Sequence, residues 1–347
     1  MTRGWRLGTE NLKEARFYER SGDAIECHVC PRFCRIPEGA VGFCQTRVAA
    51  GGKLFSIAYG RVAAMHISPS EIKPFFHHLP GALWLSIGTL GCNFRCPGCQ
   101  NYHLAHSGKD DFDSVEVTGP EELVRIAKER KTSGLSFTYN EPTVWLEYTV
   151  DCAKLAKENG LLVTYVTNGF ISREALSSLL AHLDAARIDV KGFSGETYKK
   201  IANTENFRAV LDTAETMKAA GKHIEIVTNL TPGYNDDENE LKELANWIRT
   251  SLGENTPWHI TRFYPYLKLS RISATPLESL LRAREIGLSA GLRFVYLGNV
   301  PGHEAENTFC PKCGEKVIER YGCALIKTNL VGSRCAFCSE DIRIRWN

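Results

Sequence analysis

The sequence predicts an α/β protein: a partial (βα)6-type TIM barrel with a cysteine-rich N-terminal appendage and a C-terminal zinc-ribbon-like segment. Three observations point there. Short apolar runs alternate with amphipathic patterns between residues 81 and 300. Eleven of the 13 cysteines fall into three groups that divide the chain. At 347 residues, the chain is long enough for one large core with appendages.

In chain order, residues 1–80 show weak periodicity and repeated turn signals (Pro37, Gly39, Gly42, Gly51, Gly52), which marks them as the appendage. Residues 81–300 form the barrel. Its expected strands are 84–90, 135–139, 161–167, 185–190, 223–229, 258–263 and 292–297, all rich in β-branched and aromatic residues and too short for helices. Between them, Leu123, Ile126 and Ala127, then Leu241, Leu244, Ala245, Ile248 and Leu252, and later Leu277, Leu280, Leu281 and Leu288 recur at the helical period. Strand and helix in alternation imply βα units and a parallel sheet. Residues 301–347 are too short to build a core without a staple, and a metal can provide one.

Composition excludes several classes. Cysteines this sparse do not form a small disulfide scaffold. The first twenty residues are polar, with no apolar signal core after them, and no apolar run reaches membrane-spanning length. A cytoplasmic protein is expected, where clustered cysteines bind metal or do chemistry. Lys and Arg number 42 against 40 Asp and Glu, without the basic footprint of a nucleic-acid binder.

Cys92, Cys96 and Cys99 follow the first expected barrel strand with the spacing C-x3-C-x2-C. Three thiolates on one loop can ligate three irons of a 4Fe-4S cluster and leave the fourth open to substrate. A zinc site completed by His103 or His106 is the alternative. Cys310, Cys313, Cys335 and Cys338 form two CxxC knuckles 21 residues apart, which suits a closed zinc site, with an auxiliary iron-sulfur cluster as rival. Cys27, Cys30, Cys34 and Cys44 supply four further thiolates for a metal. Cys152, on an apolar helical face, and Cys323 are expected in the core.

The C-x3-C-x2-C loop and four later strand-end motifs resemble the radical S-adenosylmethionine (SAM) superfamily, in its pyruvate formate-lyase activase branch. The motifs are Thr138-Tyr139-Asn140-Glu141-Pro142, Thr167-Asn168-Gly169-Phe170, Asp189-Val190-Lys191 and the turn Pro232-Gly233-Tyr234-Asn235-Asp236. The resemblance implies a 4Fe-4S cluster on the three cysteines. It also implies SAM held by Tyr139, Asn140, Glu141, Asn168 and Asp189, an electron donor, and reductive cleavage to a 5'-deoxyadenosyl radical. Asp189, Lys191, His259 and Arg262 become candidates for catalysis in the lumen. Where the family has an aromatic residue against the adenine, this chain has Gly98, and Phe94 or Tyr102 is expected to substitute. The 27–44 cysteine segment, Glu71-Ile72-Lys73-Pro74-Phe75-Phe76-His77 and Gly298-Asn299-Val300-Pro301-Gly302-His303 resemble the radical SAM member of the AmmeMemoRadiSam system, which implies MEMO-type and AMMECR-type partners. Two other readings are a glycyl-radical activase acting on a partner protein and a non-catalytic zinc protein.

Overall fold

The computed structural model describes residues 12–346. Six short strands open it: β1 (Lys13–Glu14), β2 (Tyr18–Ser21), β3 (Ala24–Cys27), β4 (Arg35–Pro37), β5 (Arg47–Ala50) and β6 (Lys53–Ser56). They form two small antiparallel sheets, β1-β6-β5 and β2-β3-β4.

An eight-stranded sheet follows. Its strands are β7 (Ala64–Pro69), β8 (Leu83–Gly88), β9 (Gly134–Phe137), β10 (Leu162–Thr167), β11 (Ala185–Asp189), β12 (His223–Leu230), β13 (Trp258–Arg262) and β14 (Val295–Gly298). They are paired in sequence order, with β8 to β14 parallel and β7 antiparallel at the edge. The seven parallel strands occupy the seven segments read from the sequence. β7 lies in the stretch expected to be appendage, so that stretch also builds the sheet.

Helices cross between the strands: α1 (Tyr102–Ala105), α2 (Pro120–Glu129), α3 (Leu146–Glu158), α4 (Arg173–Leu180), α5 (Gly195–Ala202), α6 (Arg208–Ala219), α7 (Glu238–Trp247) and α8 (Leu277–Ser289). Their starts follow the expected chemistry. Pro120 opens α2 at a position where its missing N–H costs nothing, and Ser172, Ser194 and Asp237 cap α4, α5 and α7 by accepting from first-turn amides. Leu123, Cys152, Leu176 and Leu244 lie on the buried faces of α2, α3, α4 and α7, against strands such as Val163 and Ile226. Among the described residues, no helix is long and apolar enough to cross a membrane.

The C-terminal segment has β15 (Thr308–Phe309), β16 (Lys316–Tyr321) and β17 (Ala324–Thr328) in one sheet, and β18 (Leu330–Val331) with β19 (Arg334–Cys335) in another. Val317, Ile318, Ile342 and Ile344 pack on Phe76, Phe294 and Tyr296. Buried Arg320 fastens this segment to the β7–β8 connection by donating to the Phe76 carbonyl (2.9 Å), and braces β15 through Thr308 Oγ1 (2.8 Å).

Candidate functional site

The carboxyl ends of the parallel strands surround a cavity of about 470 Å³. That volume suits a small-molecule site, and strand carboxyl ends are where parallel α/β folds gather functional groups. Cys92, Cys96 and Cys99 line it from the loop after β8, and Asn140, Glu141, Asn168, Asp189, Lys191, His259 and Arg262 line it from later strand ends. Glu306, Gly322 and Cys323 of the C-terminal segment complete the wall.

The cysteine loop is braced from three sides. Asn140 accepts from the Thr89 amide (3.1 Å) and donates to the Gly91 carbonyl (2.7 Å). Asn168 donates to Asn93 Oδ1 (2.8 Å), lies 4.0 Å from the Cys92 sulfur, and accepts from the Phe170 amide (2.9 Å). Arg95 donates to the carbonyls of Cys92 (3.0 Å), Ala105 (2.7 Å) and Phe43 (3.1 Å). The Phe94 amide donates to the Cys92 sulfur (3.4 Å).

Glu141 sits at the junction of the β9 and β10 ends. Its carboxylate accepts from the Thr143 amide (2.9 Å), Thr167 Oγ1 (2.8 Å) and the Asn168 amide (2.7 Å). Burial pushes its pKa up, and these three donors pull against that. Tyr139 adopts a left-handed φ of +72°, and its side chain and the Thr138 carbonyl crowd Gly88, where an added Cβ would lie 2.7 Å from that carbonyl. Only glycine permits that approach.

Asp189 pairs with Arg187 and, at 3.3 Å, with Lys191. Asn235, in the turn after β12, donates to the carbonyls of Lys191 (2.9 Å) and Asn229 (3.0 Å), so that motif ties neighbouring strand ends together. His259 bonds Glu225 at 2.7 Å through Nε2 and stacks on Tyr296. Arg262 donates to the Thr275 carbonyl (2.8 Å).

Phe94 is fully buried against Phe170, and Tyr102 lies tilted against the His103 ring at the start of α1. A Cβ at Gly98 would meet Phe263 and Leu269 side-chain atoms at 2.9 Å. An aromatic ring therefore fills the space beside position 98, contributed from beyond β13. Phe263 lies in the segment Arg262-Phe263-Tyr264-Pro265, which also carries the family resemblance, but its proximity to Gly98 arises only from folding. Cys152 is in the core as expected, whereas Cys323 is exposed rather than packed in the core, and it lines the cavity.

The four C-terminal ligand atoms all lie within 4.8 Å of one another. Cys310 and Cys338 sulfurs are 3.5 Å apart, and those of Cys313 and Cys335 3.7 Å. The two knuckles repeat each other: Cys310 donates to the Glu315 carbonyl and accepts from Gly314, and Cys335 does so with Glu340 and Ser339. Gly314 and Ser339 both have positive φ.

The donor set at the large cavity fits an iron-sulfur cluster: three soft thiols on one short loop, facing a space large enough for a further ligand.

Residues 86–248 match the family described as the Radical SAM superfamily. An uncharacterized protein of Methanocaldococcus jannaschii is 41% identical over 336 residues, covering 96% of this chain and 99% of its own. The pyruvate formate-lyase-activating enzyme of Clostridium pasteurianum is 26% identical over 52% of this chain and 77% of its own. A probable GTP 3',8-cyclase of Thermococcus kodakarensis is 28% identical over 43% of this chain and 48% of its own. The strand-end cysteine loop, the cavity it faces and these likenesses agree, and the chain belongs to the radical SAM superfamily.

Proposed function

We propose that the protein is a radical SAM enzyme that abstracts hydrogen from a substrate held in the large cavity. The observation that carries this reading is the placement of Cys92, Cys96 and Cys99 on one wall of that cavity. When bound, a 4Fe-4S cluster on these thiolates supplies the electron that splits SAM into methionine and a 5'-deoxyadenosyl radical. The protein's own residues position and exclude. Asn140 and Arg95 hold the loop backbone, and Asn168 directs an amide at the Cys92 sulfur. Glu141 locks the Asn168 backbone and lines the cavity, where a carboxylate can accept from an amino group. Phe263, beside Gly98, offers a ring face to an adenine. Enclosing walls shield a radical from stray hydrogen donors.

Relatives of similar distance include both an activase and a cyclase, so the donor of the hydrogen stays unnamed. The C-terminal sulfurs favour a single zinc over an auxiliary cluster. Zinc–sulfur bonds of about 2.3 Å in a tetrahedron place sulfurs about 3.8 Å apart, close to the observed 3.5 and 3.7 Å.

The test is anaerobic reconstitution with iron and sulfide, reduction, and addition of SAM. Wild type should release 5'-deoxyadenosine and Cys96→Ala should not; equal release from both would end this reading.

A further inference from the structure

The N-terminal cysteines have no part in the function proposed above, yet they converge. Cys27 ends β3, Cys30 and Cys34 lie in the β3–β4 loop, and Cys44 lies in the turn before β5. All four line one small cavity of about 20 Å³. Cys27 is buried and Cys30, Cys34 and Cys44 are half-buried. Four thiols gathered around one space are the donor set of zinc and iron-sulfur sites.

The size of the group separates two kinds of metal. Among the described residues, the cysteines whose sulfurs close to within 4.8 Å of one another are the C-terminal four. The N-terminal sulfurs surround a common space more widely, as a multi-iron cluster requires and a single tetrahedral ion does not. The site also backs onto the catalytic loop. Asn93, next to Cys92, lines the same cavity, and Arg32 donates to the Asn93 carbonyl (2.5 Å). Arg32 also lines the cavity of the four cysteines, so one guanidinium lies against both the N-terminal group and the loop that carries Cys92.

We propose that Cys27, Cys30, Cys34 and Cys44 bind a second 4Fe-4S cluster, ligated at all four irons by protein and seated behind the loop that carries Cys92. This goes beyond the hydrogen-abstraction reading and stands without it. No iron of this cluster is open, so it does not bind SAM.

The experiment quantifies iron, sulfide and zinc after anaerobic reconstitution of three full-length chains. These are wild type, the triple variant Cys92→Ala, Cys96→Ala, Cys99→Ala, and the double variant Cys30→Ala, Cys34→Ala. Wild type should hold about eight irons and each variant about four, with matching sulfide. The reduced triple variant should give the paramagnetic resonance signal of a 4Fe-4S cluster. A triple variant without iron and sulfide, or with an extra zinc in their place, overturns the proposal. So does a double variant with wild-type iron. If the double variant fails to fold, the triple variant decides alone, because its N-terminal site is intact. Loss of the hydrogen-abstraction reading would look different: the triple variant would keep all of its iron.

Discussion

Arg47 and Glu147 form a two-bond salt bridge, at 3.0 and 2.8 Å, with side chains only 2% and 1% exposed. It joins β5 of the N-terminal region to α3 on the outside of the large sheet. Glu147 also accepts from the Arg16 amide at 2.8 Å. Burial alone would raise the Glu147 pKa, but Arg47 outweighs it, and the net shift is downward.

Glu147→Gln should therefore destabilise the protein by about 3–5 kcal/mol, because it strands the Arg47 charge in the interior. Urea unfolding at neutral pH reads this directly. Replacing both residues with apolar side chains should cost less than the single change. If Glu147→Gln leaves the unfolding midpoint unchanged, the pair is not a structural tie.

Asn140→Ala removes both side-chain bonds that hold the cysteine loop, those to Thr89 and Gly91. Each buried bond contributes about 1 kcal/mol, with a further penalty for leaving the loop amide unpaired. The expected outcome is a folded chain whose reconstituted cluster is lost to an iron chelator several-fold faster than in wild type. Equal rates of loss would show that the loop holds its shape without Asn140.

Acid should weaken the fold well before the carboxylates titrate. Burial lowers the pKa values of His77 and His78 to about 3. Both are neutral in the folded chain, while the unfolded chain protonates them near 6.5. Proton uptake on unfolding means that stability falls as pH drops from about 6.5 toward 3. The slope is up to about 1.4 kcal/mol per pH unit for each histidine. Chemical denaturation at pH 7, 6 and 5 measures it, and His78→Phe should make it shallower. A flat profile over this range would contradict the burial of these rings.

Ser339 holds a left-handed φ of +62° at the position where the other knuckle has Gly314. Ser339→Gly relieves that conformation and should stabilise the C-terminal segment by up to about 1 kcal/mol, with metal still bound. Thermal unfolding of the zinc-loaded protein checks the direction. A loss of stability would show that the serine side chain contributes more than the backbone costs.

The sequence made the parallel sheet legible because its strands are doubly buried and read as short apolar runs, as in Val163 to Thr167 or Ile224 to Val227. β7 was not legible. It is an edge strand whose residues are exposed or half-buried, so Ala64 to Pro69 shows neither an apolar run nor a clean alternation. The cysteine groups stood out because ligand spacing is local. Glu225 did not, since three of its four partners, the Phe76 and His77 amides and His259, come from distant segments and only His223 is local. Asn140 and Asn168 were expected from the resemblance to hold SAM, but their roles as loop braces depend on the path of the cysteine loop in three dimensions. Nothing local to Phe263 signals that it fills the space beside Gly98.

The wall that Glu306, Gly322 and Cys323 contribute has a consequence for how the protein can diversify. These residues belong to a segment with its own four sulfurs and its own small sheets, apart from the strand ends that carry the cysteine loop. Substitutions there reshape the chamber while leaving the cysteine loop and its braces in place. One cavity is thus walled by two separately built parts, the strand ends of the large sheet and a segment folded into small sheets of its own.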